Sequence, residues 1–314
     1  TGMGEQAVST VYRQDGRRDS LSLGADLSQG YQYDLLGVTR AMDGTFFGHT
    51  LHWQRTTDAL RRPVQDILPQ GVKASYRFDA ASQLLDIKNQ AANATVLSEF
   101  EYAYSQNGSR TTLDEVIGPY GTKTRTGVYA YDALDRLLTS ITPDESFVYD
   151  AVGNRTNRGS VHDAANRLLK DDDFRYTYNG SGSLTVKGSK HGTERMEYEW
   201  DAEERLIAAA QKRNGTDVTV RTEYRYDGLG RRIQKSVINI EDSSKSYVRR
   251  FIYDGENVIQ ELDGQNHIVA AYMHGPGLDS PIAMLRDHNG NGRFDDNEVY
   301  TYTKDGLGSV RELV

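Results

Sequence analysis

The stretch Tyr129-Ala-Tyr-Asp-Ala-Leu-Asp-Arg-Leu137 predicts a β-hairpin. Tyr129 and Tyr131 are two residues apart, so their side chains project from the same face of an extended strand. The carboxylate of Asp132 can accept a hydrogen bond from the backbone two residues further on and thereby begin a turn. Asp135 stands where a left-handed backbone conformation is often required, and the chain then resumes the alternation of a returning strand.

The same pattern recurs along most of the chain. Most copies have two aromatic residues separated by one residue, followed by Asp or Asn and then by Gly, Asn or Arg in the turn. About eleven copies occur, mostly 13 to 27 residues apart, and their second aromatic positions are Tyr33, Phe78, Tyr104, Tyr131, Tyr149, the reduced form at His162, Tyr178, Trp200, Tyr226, Tyr253 and Tyr302. A period in this range indicates a repeat architecture and not a set of independent domains.

Composition agrees with a repeated β-structure. The chain has 314 residues, with 20 Tyr against 8 Phe, and 30 Gly against 6 Pro, which suits many turns between aromatic strands. Alternating side chains at 218–226 and 246–253 predict strands. The only short helical candidate is 203–211.

A lone hairpin is marginally stable in water, so consecutive hairpins must add edge to edge. We therefore predict an all-β fold in which the repeats form one long antiparallel sheet that twists and curls into an arc or shell. The alternative is a β-propeller or sandwich, although the unequal repeat spacing disfavours a propeller. The predicted array has divergent repeats at 1–75, regular repeats at 76–270, and a loop hairpin with the last repeat at 271–314.

The repeat unit resembles the tyrosine–aspartate (YD) repeat of bacterial Rhs proteins, insecticidal toxin-complex shells and animal teneurins. The segments that carry this resemblance most closely are Tyr131–Leu137, Tyr149–Arg155 and Tyr226–Arg232. It is firm from Tyr76 onward and looser before it. In that family the repeats form a spiralling β-sheet shell that can enclose a C-terminal toxin, so the resemblance implies a structural shell segment.

The chain also departs from the family pattern. Near its end, Asp305–Arg311 resembles the stretch that precedes the core at the end of Rhs repeats, but the sequence stops at Val314, before a DPxG-type core. The self-cleaving aspartates of some family members therefore have no counterpart here. The start, Thr1–Gly4, lacks the basic and apolar regions of a signal peptide. We expect both ends to have been cut from a longer polypeptide.

A second informative stretch, 287–298, matches a twelve-residue calcium loop position by position. Ca²⁺ prefers six to eight oxygen ligands, and this spacing can wrap them around one point. Gly292 would make the sharp turn at position 6, and Phe294 would pack the loop on its support. The expected ligands are Asp287, Asn289, Asn291, Arg293 through its backbone carbonyl, Asp295, and Glu298 as a bidentate carboxylate.

The residues that flank this loop do not fit a helix–loop–helix unit. Both 281–285 and 299–303 read as strands, so we expect a calcium loop inserted into a hairpin, with a structural role and not a sensor role. The alternative is a solvated Asn/Asp/Gly hairpin turn.

The sequence gives no strong catalytic constellation, and we predict no catalytic residues. His49 and His52 are the only histidines near each other, and on a strand they would point to opposite faces. There is no cysteine, which excludes thiolate chemistry and disulfides. The recurring Asp residues are expected to cap turns, and the recurring tyrosines are expected to form a packed ladder, although some could face outward and stack on sugars.

The net charge of −8 and pI near 5.4 argue against general nucleic-acid binding. The longest apolar run, 206–210, is too short to span a bilayer. We therefore predict a non-enzymatic YD-repeat segment of a large, secreted or surface-displayed bacterial protein, with the C-terminal domain of its own parent chain as the enclosed partner. The alternative is an adhesion module that binds glycans or a protein receptor, and a third is a polysaccharide-acting enzyme.

Overall fold

The protein is built almost wholly from antiparallel β-strands. The computed structural model describes residues 7–118, 123–141, 144–277 and 279–314, so the expectation about Thr1–Gly4 lies outside the described residues. These ranges contain 27 strands and three short 3₁₀ turns. The predicted all-β fold of consecutive hairpins is confirmed.

The strands fall into two sheets, and in both the spatial order of the strands is their order in the chain. The first sheet has thirteen strands: β1 Val8–Tyr12, β2 Arg18–Leu23, β3 Leu27–Tyr33, β4 Thr39–Phe46, β5 His49–Thr57, β6 Pro63–Ile67, β7 Lys73–Phe78, β8 Leu84–Gln90, β9 Val96–Tyr104, β10 Arg110–Ile117, β11 Lys123–Tyr131, β12 Leu137–Ile141 and β13 Asp144–Ser146.

The second sheet has fourteen strands: β14 Val161–His162, β15 Leu168–Lys170, β16 Phe174–Tyr178, β17 Leu184–Ser189, β18 Arg195–Trp200, β19 Leu206–Arg213, β20 Asp217–Tyr226, β21 Arg232–Asn239, β22 Tyr247–Asp254, β23 Asn257–Leu262, β24 Ile268–His274, β25 Pro281–Arg286, β26 Val299–Lys304 and β27 Val310–Leu313. The 3₁₀ turns are Pro69–Gly71, Ser243–Lys245 and Asp296–Glu298. The sheets divide at the Tyr149 repeat, which keeps its turn but forms a single β-bridge, Tyr149 to Arg155.

Several local predictions can be compared with these strands. The strands expected at 218–226 and 246–253 are confirmed by β20 and β22. The helical alternative at 203–211 is wrong, because Leu206–Arg213 forms β19 and pairs with β18 on one edge and β20 on the other. Hydrogen bonding along both edges overrides the helix preference of its three alanines.

The chain folds into two compact units. The first comprises Thr1–Glu145, Tyr253–Gln260 and Ile268–Val314, and the second comprises Ser146–Ile252 and Glu261–His267.

In the first unit, strands from the two ends of the chain pack against each other. Gln70 Nε2 donates to the carbonyl of Val299 at 2.9 Å, and Thr301 Oγ1 donates to the carbonyl of Pro69 at 3.0 Å. The core draws buried side chains from β2–β5 and from β24 and β25, including Leu23, Leu27, Met42, Phe46, Leu51, Ala270, Ala271, Met273 and Leu285. This unit therefore has an apolar interior that neither set of strands would form alone.

In the second unit, the described side chains are mostly half-buried. The fully buried ones are few and small: Ala208, Ala209, Ala210 and Thr219, with Leu262 close to them in exposure. The stability of this unit rests chiefly on the pairing of neighbouring hairpins and on the contacts between successive repeats.

The turn at Gly230 allows a clean test of backbone strain. Gly230 has φ of +81°, and a Cβ there would meet no atom within 4 Å, so only its left-handed conformation resists substitution. Gly230→Val should destabilise the β20–β21 hairpin by about 1–2 kcal/mol, because β-branched residues are disfavoured in this conformation. Hydrogen exchange across 224–236 measures the loss. Gly228→Val, in the same turn but without a positive φ and with equally open space, should have little effect; equal losses in both variants would contradict this explanation.

Candidate functional site

The repeat turn has one geometry, which Asp132 illustrates. Asp132 Oδ1 accepts the N–H of Leu134 and of Arg136, each at 2.9 Å, while Oδ2 pairs with Arg136 Nε at 2.6 Å. The backbone N–H of Asp132 donates to the carbonyl of Arg136 at 2.9 Å, and Asp135 has φ of +57°. The predicted roles of Asp132 and Asp135 are thus confirmed.

The aspartates that make this same set of contacts with an arginine four residues on are Asp58, Asp132, Asp163, Asp201 and Asp227. The pKa values of Asp132, Asp163 and Asp201 lie below the ordinary value, chiefly because the backbone N–H of that arginine donates to the carboxylate. A carboxylate held this way is ionised at neutral pH and engaged with its own turn.

In two of these turns the arginine also contacts the following repeat. The guanidinium carbon lies 5.2 Å from the ring centre of the next second aromatic in two cases, Arg167 over Tyr178 and Arg205 over Tyr226. The hydroxyl of that aromatic then donates to the backbone just after the previous turn, as Tyr226 does to the carbonyl of Leu206 at 2.6 Å. The same contact is made by Tyr104 with Leu84, Tyr178 with Leu168 and, through its indole N–H, Trp200 with Leu184. Asp, Arg and aromatic residues thus join successive repeats in a ladder.

The exposure of the repeat aromatics bears on the glycan hypothesis. The described repeat tyrosines are half-buried or buried, and none is exposed. The exposed tyrosines among the described residues, Tyr12 and Tyr247, belong to no repeat motif. The repeat rings are therefore packing groups in this structure.

Asp201 tests the cap. Asp201→Ala removes the acceptor for the N–H of Glu203 and Arg205 and the partner of Arg205 Nε, so hydrogen-exchange protection at 200–206 should fall. Asp201→Asn is the matched control, since Asn179 already serves as the cap of its own repeat, with Oδ1 accepting the N–H of Ser181 and Ser183. The alanine variant should lose more protection than the asparagine variant. Equal losses would show that the ion pair, and not the cap, determines the local stability.

One repeat aspartate is an exception to the capping prediction. Asp254 lies at the end of strand β22 and pairs with Arg18, with Oδ1 accepting Nη2 at 2.9 Å and Oδ2 accepting Nη1. It does so because the turn that follows it is shorter, with Gly255 at φ of +56°. The expectation that every repeat aspartate caps its own turn is wrong here.

Two turns of the same kind were missed by the sequence analysis. Asp58 and Asp263 each accept two backbone N–H groups. Asp58 lies between the repeats of Tyr33 and Phe78, and Asp263 between those of Tyr253 and Tyr302, where successive copies are farthest apart. Neither follows an aromatic residue, because Thr57 and Leu262 precede them. Both turns could have been predicted from another pattern, an Asp that is followed four residues later by Arg or His.

The predicted calcium loop lies between strands β25 and β26, so the strands expected on its two sides are confirmed. Asp287 begins the loop: Oδ1 accepts the N–H of Gly290 at 2.6 Å, and Oδ2 accepts the N–H of Gly292 at 2.9 Å. Gly292 has φ of +76°, as the sharp turn at position 6 requires. Asn291 Oδ1 accepts the N–H of Arg293 at 2.8 Å and so orients the peptide at position 7.

Three expected ligand side chains meet within the loop. Asp295 Oδ2 lies 3.1 Å from Asn289 Nδ2 and 3.5 Å from Asn291 Nδ2. The Oδ1 atoms of the two asparagines accept backbone N–H groups of the loop, Asn289 from Asn291 at 2.9 Å and Asn291 from Arg293 at 2.8 Å, so they lie on the inner side of the loop. An all-oxygen set is the chemistry that Ca²⁺ selects.

Glu298, at position 12, is only 3% exposed. Its Oε1 accepts the N–H of His288 at 2.7 Å, and its Oε2 accepts the N–H of Asp295 at 3.0 Å. These backbone donors, with Asp295 the larger contributor, hold the pKa of Glu298 below its ordinary value. The ionised carboxylate thus connects the two ends of the loop.

The loop rests on the first sheet of its own unit. Phe294 is buried, and its ring centre lies 4.8 Å from that of Phe47, which confirms its packing role. His49 Nε2 lies 2.6 Å from the carbonyl of Phe294. His52 instead contacts Asp43, with Nδ1 2.7 Å from Oδ1. The two histidines of β5 therefore have different partners.

A group of three carboxylates, Asp86, Glu99 and Glu101, lies on β8 and β9. Burial and the neighbouring Glu99 raise the pKa of Asp86. Lys88 Nζ pairs with both oxygens of Glu99 at 3.1 Å, and Glu101 is exposed. The group identifies no reaction by itself. The glycine pairs at 180–182, 228–230 and 306–308 are turns, with positive φ at their second glycine.

In this protein an Asp caps the turn of each typical hairpin, an Arg pairs with that Asp, and the hydroxyl of an aromatic residue joins the hairpin to the previous repeat. This combination is typical of a YD-repeat protein. The Teneurin YD-shell family model matches residues 69–217 and, in a second overlapping match, 117–275. Together the matches cover well over half of the chain, and it belongs to this family. The predicted relationship is confirmed, and the family is structural.

Curated relatives include toxins. The chain is 31% identical over 180 residues to the tRNA3(Ser)-specific nuclease WapA of Bacillus spizizenii, which covers 52% of this chain and 7% of that protein. It is 25% identical over 282 residues to the toxin protein Tse5 of Pseudomonas aeruginosa, covering 90% of this chain and 18% of that protein. The chain thus spans only a small part of the length of these relatives.

Among solved structures, the crystal structure of TcdB2-TccC3-Cdc42 aligns with a TM-score of 0.49 at 12% identity, covering 87% of this chain and 18% of that chain. Within the described residues, no helix has the length and apolar character needed to cross a bilayer.

Proposed function

We propose that this chain forms part of the wall of a β-shell, within a secreted bacterial protein, that encloses the C-terminal toxin domain of its own parent polypeptide. Membership of the YD-shell family carries the proposal. The printed names of the curated relatives, a nuclease and a toxin, support a toxin as cargo. The contacts of the repeat residues support a non-catalytic role, since their carboxylates and rings are engaged in turns and in packing.

Proteolysis of the full-length parent polypeptide tests enclosure. Under native conditions, a protease that is active on flexible chains should leave the region after the repeats intact, while the same region in the urea-unfolded protein should be digested quickly. Mass mapping of the fragments locates the protected segment. Digestion of that region at the same rate in both conditions would rule out enclosure and favour a surface scaffold.

We also propose that the loop 287–298 binds one structural Ca²⁺. Asp287, Asn289, Asn291, Asp295 and Glu298 would supply side-chain oxygens, and Arg293 would supply its backbone carbonyl. The contacts among Asn289, Asn291 and Asp295 support this assignment of ligands, because they bring three of the side chains together in a loop that is flanked by strands and not by α-helices. When bound, the ion would neutralise the loop carboxylates and hold together the hairpin between β25 and β26.

The proposed division of the array, with divergent repeats at 1–75, regular repeats at 76–270 and a loop hairpin at 271–314, follows the spacing of the motifs. A surface adhesin would instead need exposed aromatics, and the half-buried repeat rings offer no such patch.

A further inference from the structure

The first unit contains a cavity of about 330 Å³ whose walls are both apolar and polar. Trp53, Ile87 and Ile282 are among its apolar lining residues, and Asn89, Lys304 and Ser280 are among its polar ones. Its volume is in the range of small-molecule sites and suits a ligand of about ten to fifteen non-hydrogen atoms. Part of its wall comes from β25 and β26, the two strands that flank the loop 287–298, and part from the last repeat turn at Asp305.

The lysine in this cavity has an incomplete set of partners. Lys304 is half-buried at the end of β26, and its Nζ donates to Ser280 Oγ at 3.1 Å. Within the described residues, no carboxylate lies within 4.0 Å of its ammonium group. Burial lowers the pKa of Lys304 to about 8. An ammonium group that is partly removed from water and has no counter-ion is destabilised, and a bound anion would offset this cost.

The asparagine provides a second, independent observation. Asn89 is 1% exposed, and its Nδ2 donates to Ser98 Oγ at 3.0 Å and to the backbone carbonyl of Lys304 at 3.3 Å. Because a carbonyl can only accept, the second contact fixes the orientation of the amide. Asn89 Oδ1 then has no hydrogen-bond partner among the described residues. A buried acceptor of this kind requires a donor.

The nearby carboxylate of Asp66 is neither a counter-ion for Lys304 nor a donor for Asn89 Oδ1. Asp66 is buried, and its two oxygens accept Nε and Nη2 of Arg55 at 2.7 and 2.6 Å, with the hydroxyl of Tyr76 at 3.1 Å from Oδ2. Asp66 and Arg55 thus satisfy each other. Among the described residues that line this cavity, the ammonium of Lys304 lacks a counter-ion and Asn89 Oδ1 lacks a donor.

We propose that this cavity binds a small carboxylate that carries an amide N–H and an apolar group. The carboxylate pairs with Lys304, the N–H donates to Asn89 Oδ1, and the apolar group packs near Trp53 and Ile282. This chemistry occurs in an N-acyl amino acid and in the C-terminal residue of a polypeptide. None of the groups assigned to this ligand is a proposed calcium ligand, and the proposal does not depend on the enclosure of a toxin.

Calorimetric titration of the purified chain tests the site with three probes: N-acetyl-L-leucine, a tetrapeptide ending in leucine with a free carboxylate, and the same tetrapeptide as its C-terminal amide. Both acids should bind, and the amide should bind at least tenfold more weakly. Binding of the tetrapeptide acid alone would identify a polypeptide C-terminus as the ligand. Equal binding of acid and amide, or no binding of any probe at about 10 mM, would overturn the proposal.

Lys304→Met should weaken the binding of N-acetyl-L-leucine at least tenfold, and Lys304→Arg should retain part of it. Lys88→Met is the control, because Lys88 is on β8 next to Asn89 in sequence but pairs with Glu99. Affinity within twofold of the unmodified chain in Lys304→Met would contradict the assignment.

The pH dependence of binding needs no variant. Affinity should be constant below pH 8 and fall above it, as the ammonium group of Lys304 loses its proton. The groups nearest to it are Asp66 and Arg55, and the other titratable groups lining the cavity are Tyr76, Tyr302, Asp279 and Asp305. Asp, Tyr and Arg ordinarily titrate outside pH 7–9. Affinity that stays unchanged up to pH 9.5 would exclude Lys304 as the anion-binding group.

Discussion

Replacing Glu298 by Ala or Gln is expected to weaken Ca²⁺ binding on the order of a hundredfold, because position 12 is the one ligand that supplies two oxygens. Glu298 also accepts backbone N–H groups from His288 and Asp295, at both ends of the loop. Its removal should therefore loosen the 285–300 hairpin even without the ion. Calorimetric titration with Ca²⁺ measures the first effect, and hydrogen exchange at 285–300 measures the second.

Asp296→Asn is the matched control for Glu298→Gln. Both variants remove one negative charge from the same loop, but Asp296 stands at position 10, which supplies no ligand, and its side chain is fully exposed. The control should bind Ca²⁺ nearly as well as the unmodified chain. If Ca²⁺ binding weakens equally in both variants, the loss of one negative charge explains the effect. If Glu298→Gln binds Ca²⁺ as well as the unmodified chain, the loop 287–298 is not the calcium site.

Replacing Arg311 by Met should destabilise the contact between β27 and the first sheet by about 3 kcal/mol, since breaking a buried ion pair at one partner is strongly destabilising. Arg311 Nη2 donates to Glu115 Oε1 at 2.6 Å, and Nη1 donates to Asp305 Oδ2 at 3.1 Å. The side chains of Glu115 and Asp305 are 7% and 10% exposed. Native-state hydrogen exchange of β10 and β27 measures the change.

Arg213→Met is the control for this prediction. Arg213 makes a similar two-pronged pair with Glu241, at 2.7 and 3.3 Å, but both side chains are about half exposed. Such surface pairs contribute about 0–1 kcal/mol. If the two variants lose equal stability, burial is not what makes the Arg311 pair important.

The hairpins could be predicted from the sequence because their signal is local. Two aromatics on one strand face, a capping Asp and a residue that tolerates a left-handed conformation all lie within about seven residues, as at Tyr129–Asp135. The strands on both sides of the loop 287–298 could likewise be predicted, while its binding of Ca²⁺ stays a prediction. The turns at Asp58 and Asp263 were missed because their caps follow Thr57 and Leu262, so the aromatic half of the motif is absent.

What could not be predicted depends on residues far apart in the chain. No local pattern indicates that Asp254 leaves its turn and pairs with Arg18. The same holds for Lys304 and Asn89, whose unmet hydrogen-bonding groups come together only when β26 packs on β8. The division into two sheets also follows from weak pairing near Tyr149, where the motif itself looks intact.

The strand order has a consequence for how the molecule forms. Since every strand of the first sheet pairs with its neighbour in the chain, these hairpins can assemble one after another with short loops to close. The pairs Arg18–Asp254, Gln70–Val299 and Glu115–Arg311 span 236, 229 and 196 residues, so they can form only once the last strands are available. During synthesis from the N-terminus, the first sheet would thus form hairpin by hairpin. The first unit would complete its packing only in a late step, when β23–β27 have been synthesised.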